Sequence, residues 1–138
     1  KAVKYYLFDV GVAGCLSKRY LMEEKGSEFG KAFEHFLLME IIAYRSYKRH
    51  DFRINFWRTK YGLEVDYVIG DGEIAIEAKG TDNVDIRDLK GLIAFMDTYS
   101  PRRSIVVCNE KEKRIHNKIE IMPWREFLHD LWSGNILK

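Results

Sequence analysis

The stretch EVDYVIGDGEIAIEAKG, Glu64–Gly80, holds two β-prone runs around Asp71-Gly72, and its reading decides how the rest of the chain is arranged. Asp-Gly between alternating apolar runs signals a hairpin with a two-residue type I′ turn, which needs positive φ at both central positions. In that register Gly70 faces Glu73 and Ile69 faces Ile74. Continuing outward, Asp66 lies opposite Glu77 and Glu64 opposite Lys79. Side chains alternate along a strand, so Leu63, Val65, Tyr67, Ile69, Ile74, Ile76 and Ala78 form one apolar face. The other face carries Glu64, Asp66, Glu77 and Lys79, with Val68 and Ala75 nearer the turn. Directly opposed Cβ atoms are about 5 Å apart, where like charges destabilise. At an effective dielectric near 20, two such charges repel by roughly 3 kcal/mol before screening. A retained proton, a neighbour such as Lys79, or a divalent cation shared between the acids would each relieve this. The plain alternative is a solvent-facing polar surface in which Glu64 and Lys79 are an ordinary cross-strand pair.

Around the hairpin the pattern is that of a mixed α/β domain. Before it, Phe29, Phe33, Phe36, Leu37, Ile41 and Tyr44 recur at three- and four-residue steps, predicting a helix over 27–47 with Ser27 as N-cap. RINFWRT (Arg53–Thr59) is a strand that precedes the hairpin through Lys60-Tyr61-Gly62, so the three strands form an antiparallel meander. After it, 85–99 reads as a helix with Ile86, Leu89, Leu92, Ile93 and Met96 on one side, closed by Pro101. SIVVCN (Ser104–Asn109) is continuously apolar, the mark of a strand buried on both faces. A basic loop, 111–118, leads to a strand at Ile119–Met122, and Pro123 opens a last helix, WREFLHDLW. The expected crossover from the third strand to SIVVCN makes this pair parallel.

The chain's 138 residues suit one domain. With 46% hydrophobic and 32% charged residues it is a globular protein, and a net charge of +2 is too small to argue for nucleic-acid binding by itself. Cys15 and Cys108 stand in apolar contexts and read as reduced thiols of a cytoplasmic protein, a disulfide being the lesser alternative. No apolar run approaches the roughly 18 residues of a membrane span. KAVKYYLF at the start reads as a short strand, and residues 1–26 as a strand and linker from a longer protein, the chain beginning at Lys1 without methionine. Residues 27–138 are the domain proper.

Asp66, then ten residues, then Glu77-Ala78-Lys79 resembles the D…ExK signature of the PD-(D/E)xK, restriction-endonuclease-like nucleases. The helix, three-strand meander, helix and strand of 27–109 match the core order of that group. A proline often precedes the aspartate in the group; here the positions hold Glu64-Val65. Many members carry a further glutamate on the first helix, where GKAFEHFLL supplies Glu34, otherwise a boundary residue. KYYLFDVGVAGCL, GKAFEHFLLMEI, FWRTKYGLEVDYVI and IEAKG together resemble the C-terminal domain of unknown function of prokaryotic AAA+ ATPases, over about residues 1–92. In those proteins an ATPase module lies upstream in the same polypeptide. This chain has no G-x-x-x-x-G-K-[ST] and so no ATPase site of its own.

The resemblance implies catalytic roles for Glu34, Asp66, Glu77 and Lys79. Mg²⁺ or Mn²⁺ would be held by Asp66, Glu77 and Glu34, helped by the Ala78 carbonyl, with DNA as substrate. Arg58, Lys60, Arg87 and Lys90, and the loop with Lys111, Lys113, Arg114, His116 and Lys118, are candidate phosphate contacts; solvated surface is the alternative for each. The histidines have no zinc spacing. Two other functions stay open: an inactive nuclease-like module that binds nucleic acid or a protein and regulates the ATPase, and a defence or toxin–antitoxin component that binds protein only. Oligomerisation is compatible with all three.

Overall fold

Apolar residues at helical spacing wind 26–47 into one long helix, α1 (Gly26–Tyr47), and turn Phe33, Leu37, Leu38, Ile41 and Tyr44 inward. The computed structural model describes residues 26–137. The expected strand at the start, Cys15 and the linker to Lys25 lie outside the described residues. Ser27, expected at the N-cap, falls inside the helix span of Gly26–Tyr47.

The strands are β1 (Ile54–Arg58), β2 (Glu64–Ile69), β3 (Ile74–Ala78), β4 (Arg103–Cys108), β5 (Arg114–His116) and β6 (Ile119–Pro123). They form one sheet in the order β1-β2-β3-β4-β6-β5. The first three are an antiparallel meander; β3–β4 and β4–β6 are parallel, and β5 returns antiparallel on β6. A 3₁₀ turn (Ile86–Leu89) and α2 (Lys90–Tyr99) bridge β3 and β4, and α3 (Trp124–Trp132) follows β6. The fold is α/β with a mixed central sheet between helices.

Each face of the sheet buries its own core. On one side Tyr67, Ile69, Ile74, Ile76, Ile105 and Val107 pack with α1 and with Phe127 and Leu131 of α3. On the other, Val65, Val68, Ala75, Val106 and Cys108 pack with Leu89, Leu92 and Phe95. The alternation of β4 between the two clusters is what its continuous apolar run requires. Arg103 at its start forks onto Glu120 of β6 at 2.9 and 2.7 Å and also donates to the carbonyls of Asn135 and Ile136, fastening the end of the chain to the sheet.

The hairpin keeps the register read from its sequence: Ile69 opposes Ile74, Val68 Ala75, and Tyr67 Ile76. Its turn differs. Positive φ falls on Gly70 and Gly72 (71° and 85°) and not on Asp71, because a glycine takes that conformation without a Cβ clash. The type I′ geometry appears at Asn117-Lys118, both with positive φ, between β5 and β6. Thus part of the expected basic loop is an edge strand.

The α2 face also departs from expectation, since Ile86 and Ile93 are exposed and Phe95 is buried. The cause is Gly91, where an added Cβ would lie 2.0 Å from the Glu64 carbonyl oxygen. That approach fixes which side of α2 meets β2, and Ile93, two residues on, points the opposite way. Gly91→Ala should therefore destabilise by about 2–3 kcal/mol. Gly30→Ala in α1, where a Cβ meets nothing within 4 Å, should stabilise by about 0.5–1 kcal/mol. Urea unfolding of the two variants tests the packing; equal effects would contradict it.

Candidate active site

The site begins at an irregularity in β2. Trp57 of β1 pairs with Val65 and Asn55 with Val68, so two residues of β2, Asp66 and Tyr67, oppose the single Phe56. This is a β-bulge. It sends Val65 to the α2 side together with Val68, whereas strict alternation placed Val65 on the face of Tyr67 and Ile69. It also turns the Asp66 carboxylate toward β3, where Oδ2 accepts the Ala78 backbone N–H at 2.9 Å. A ladder donor that would ordinarily meet a carbonyl meets a carboxylate.

Glu77 stands next to this contact. Asp66 is 6% and Glu77 4% exposed, and the two side chains are hydrogen-bonded to each other. Burial first, then the hydrogen bond and charge of Asp66, drive the Glu77 carboxyl far above the ordinary carboxylate range; Lys79 pulls it down, and Glu64 adds to the rise. Glu77 therefore holds a proton at neutral pH and donates it to Asp66. The retained proton is the remedy that the two side chains supply between themselves. Lys79 follows one residue after the end of β3, half-buried, its N–H bonded to the Val107 carbonyl of β4.

Glu34 is held by a backbone contact: the Tyr67 hydroxyl donates to the Glu34 carbonyl, which fixes the middle of α1 over β2. The first turn of α1 sits as close to the end of β3, for a Cβ on Gly80 would lie 2.9 Å from the Phe29 ring. Among the described residues no group of three or more His, Cys, Asp or Glu side chains gathers to hold a metal ion. The structure thus brings together Asp66, Glu77 and Lys79, while the Glu34 carbonyl meets Tyr67, the chain neighbour of Asp66 that packs on the α1 side. Tyr67 was read from sequence only as core; the signal was a phenol on an apolar strand face, whose hydroxyl needs a partner.

Asp66 lines an open groove of about 1370 Å³ that runs along β1 past Arg45, Arg58, Lys60 and Tyr61. Arg58 and Lys60 are exposed in it. Arg87 instead pairs with Asp85 at 3.4 Å on the surface, where such a pair contributes little, and Lys90 is exposed at the start of α2. In the basic segment near the end, Arg114 forks onto Glu110 at 2.8 and 2.9 Å and Lys113 lies 3.2 Å from Glu120, so both are engaged in holding the fold.

The profile of the family described as Domain of unknown function (DUF4143) matches residues 29–127. The chain belongs to that family. The matched segment contains α1 from Phe29 onward, the whole hairpin and every candidate site residue. No curated protein and no solved structure matches the chain. Among the described residues no helix is long and apolar enough to cross a membrane.

The buried proton has a consequence for stability. In the unfolded chain Glu77 titrates near its ordinary value of 4.5, while the folded chain retains the proton to much higher pH. The folded state binds more protons in that window, so stability from this group is full below the unfolded value and declines as pH rises. Glu77→Gln removes the decline. Measured in chelator, the variant should gain on the wild type by about 1 kcal/mol or more between pH 5 and pH 8, the worth of one pKa unit. Parallel stability–pH curves would contradict the shared proton.

Proposed function

We propose that this domain is a metal-dependent phosphodiesterase of the PD-(D/E)xK, restriction-endonuclease-like type that acts on DNA. The observation that carries the reading is the pair of adjoining buried carboxylates, Asp66 and Glu77, with Lys79 two residues beyond Glu77, just past the end of β3. Burying two acids side by side is costly unless a partner repays it, and a structural role would be served equally well by apolar residues. The helix, meander, helix and parallel strand in sequence support the same fold group.

The donor set fits Mg²⁺ or Mn²⁺. Both ions take hard oxygen ligands, and Mg²⁺ sites commonly use one or two carboxylates completed by water and substrate phosphate. Asp66, Glu77 and the Ala78 carbonyl would hold the ion, and Glu34 would assist from α1. When bound, such an ion lowers the pKa of a water and offsets phosphate charge. Glu77 would release its proton to water in order to take part, and Asp66 is oriented by the Ala78 N–H. Lys79 places a positive charge beside the pair, where it would orient the attacking water or stabilise charge developing on the phosphate. Arg58 and Lys60 position the DNA backbone along the groove. In this reading the domain acts in the cytoplasm as an accessory to an AAA+ ATPase module of the same polypeptide.

The second reading is a nuclease-like module without catalysis that binds nucleic acid or a partner protein and regulates the ATPase. It is favoured by one observation, that no three-ligand group is assembled among the described residues. The two readings diverge on ion-dependent stability. Under the nuclease reading Mn²⁺ or Mg²⁺ at ~100 times its Kd should stabilise the wild type by about 2.7 kcal/mol, since the unfolded chain does not bind it. Asp66→Asn should lose most of this gain. Lys79→Ala should keep the gain and lose plasmid nicking. Thermal melts with and without ion, read beside the nicking assay, decide between them; a wild-type melt unmoved by either ion favours the binding module.

A further inference from the structure

The groove that ends at Asp66 is walled on one side by the tip of the β1–β2 hairpin, residues 59–63, and this tip is built to stay rigid. Thr59 organises it: its N–H donates to the Leu63 carbonyl, its own carbonyl accepts from Gly62, and its Oγ1 accepts the N–H groups of Tyr61 and Leu63. A loop so tied loses little entropy when a ligand lands on it. What it presents is one aromatic ring and one cation. Tyr61 is 81% exposed, and the Lys60 ammonium lies 5.2 Å from the centre of its ring. The other groove aromatics are already used, Trp57 packing edge-on against Phe95 and Tyr99, and Tyr99 against Phe95. Tyr61 makes no ring–ring contact among the described residues. Arg58, one turn of the pleat away, makes no ion pair among them either.

We infer that this tip is a stacking platform for a single strand of nucleic acid and leads the strand along the groove to Asp66. One base stacks on the face of Tyr61 not covered by Lys60, while Arg58 and Lys60 meet the flanking phosphates. Charge complementarity selects a polyanion, and the free ring selects an unpaired base. In a duplex both faces of each base are already occupied by neighbours, so the ring has nothing to stack on. Exposure of one tyrosine is ordinary in itself. Its meaning here comes from the rigid tip, the two cations beside it, and the shared groove with a buried carboxylate pair. The inference rests on the nuclease reading for what happens at the end of the groove, and its binding step is measurable apart from cleavage.

The test is fluorescence anisotropy of the 138-residue chain with a labelled oligothymidylate, an abasic strand of equal length and a duplex, all in chelator. The wild type should prefer the thymidylate to the abasic strand. Tyr61→Ala should weaken thymidylate binding by roughly 5- to 100-fold and abolish that preference. Tyr61→Phe, which keeps the ring, should bind as the wild type. The Arg58→Ala, Lys60→Ala double variant should lose affinity for both strands, with the slope of log K against log salt reduced by roughly 0.7 for each lost phosphate contact. Wild-type affinity in Tyr61→Ala, equal binding of abasic and thymidylate strands, or preference for the duplex would each overturn the inference. Ring-dependent binding without any nicking in Mn²⁺ would sustain it and remove the nuclease reading; nicking with ring-independent binding would do the reverse.

Discussion

One extra residue in β2 governs the arrangement of everything around it. Because Asp66 and Tyr67 together oppose Phe56, the strand changes phase within three residues. Val65 enters the core under α2, and Tyr67 enters the core under α1, where its hydroxyl secures the Glu34 carbonyl. Between them Asp66 is aimed at β3 and satisfies the Ala78 N–H with its side chain. A regular strand would have supplied a backbone acceptor there. The bulge therefore turns a ladder position into a carboxylate position, and the Ala78 donor is still met. Bulges concentrate beside functional sites because they re-aim a side chain in this way.

The carboxylate pair that results stores unfavourable energy in the fold. Glu77 is almost wholly enclosed by β-sheet and helix, yet it abuts another acid. Keeping its proton relieves the repulsion, and that proton makes the pair responsive to any cation that can replace it. Affinity for an ion is thereby linked to pH, since protonated carboxyls must ionise before they ligate. The same enclosure strengthens whatever electrostatic interaction forms inside, because the effective dielectric is lower than in water. The site opens toward the groove along β1 through Asp66.

Much of this was legible in the residues from Glu64 to Gly80. The Asp-Gly signal gives the hairpin register observed from Tyr67–Ile76 to Ile69–Ile74, and extending that register places Asp66 opposite Glu77. The turn type was misassigned because the Asp-Gly preference assumes positive φ at the aspartate, whereas Gly70 just before it offers a cheaper place for the same bend. The bulge was not legible: Val65, Asp66 and Tyr67 include no glycine, and the one weak β former among them, Asp66, reads equally well as a polar residue on a regular strand. Its absence from the reading put Val65 on the wrong face. The face of α2 was misjudged for a similar reason, since hydrophobic periodicity does not reveal that Gly91 must meet the Glu64 carbonyl. Glu34 was placed by analogy with a glutamate, and the structure engages its carbonyl through Tyr67. A contact between a phenol and a distant peptide group leaves no trace in sequence spacing.

The central claim is that Asp66 and Glu77 form one protonated, cation-ready pair. Calorimetric titration of Mn²⁺ at pH 7, repeated in buffers of different ionisation enthalpy, measures the protons released per ion bound. The account predicts release of about one proton, from Glu77, with binding largely lost in Asp66→Asn. Mn²⁺ binding with no proton release, or no binding at millimolar ion, would contradict it.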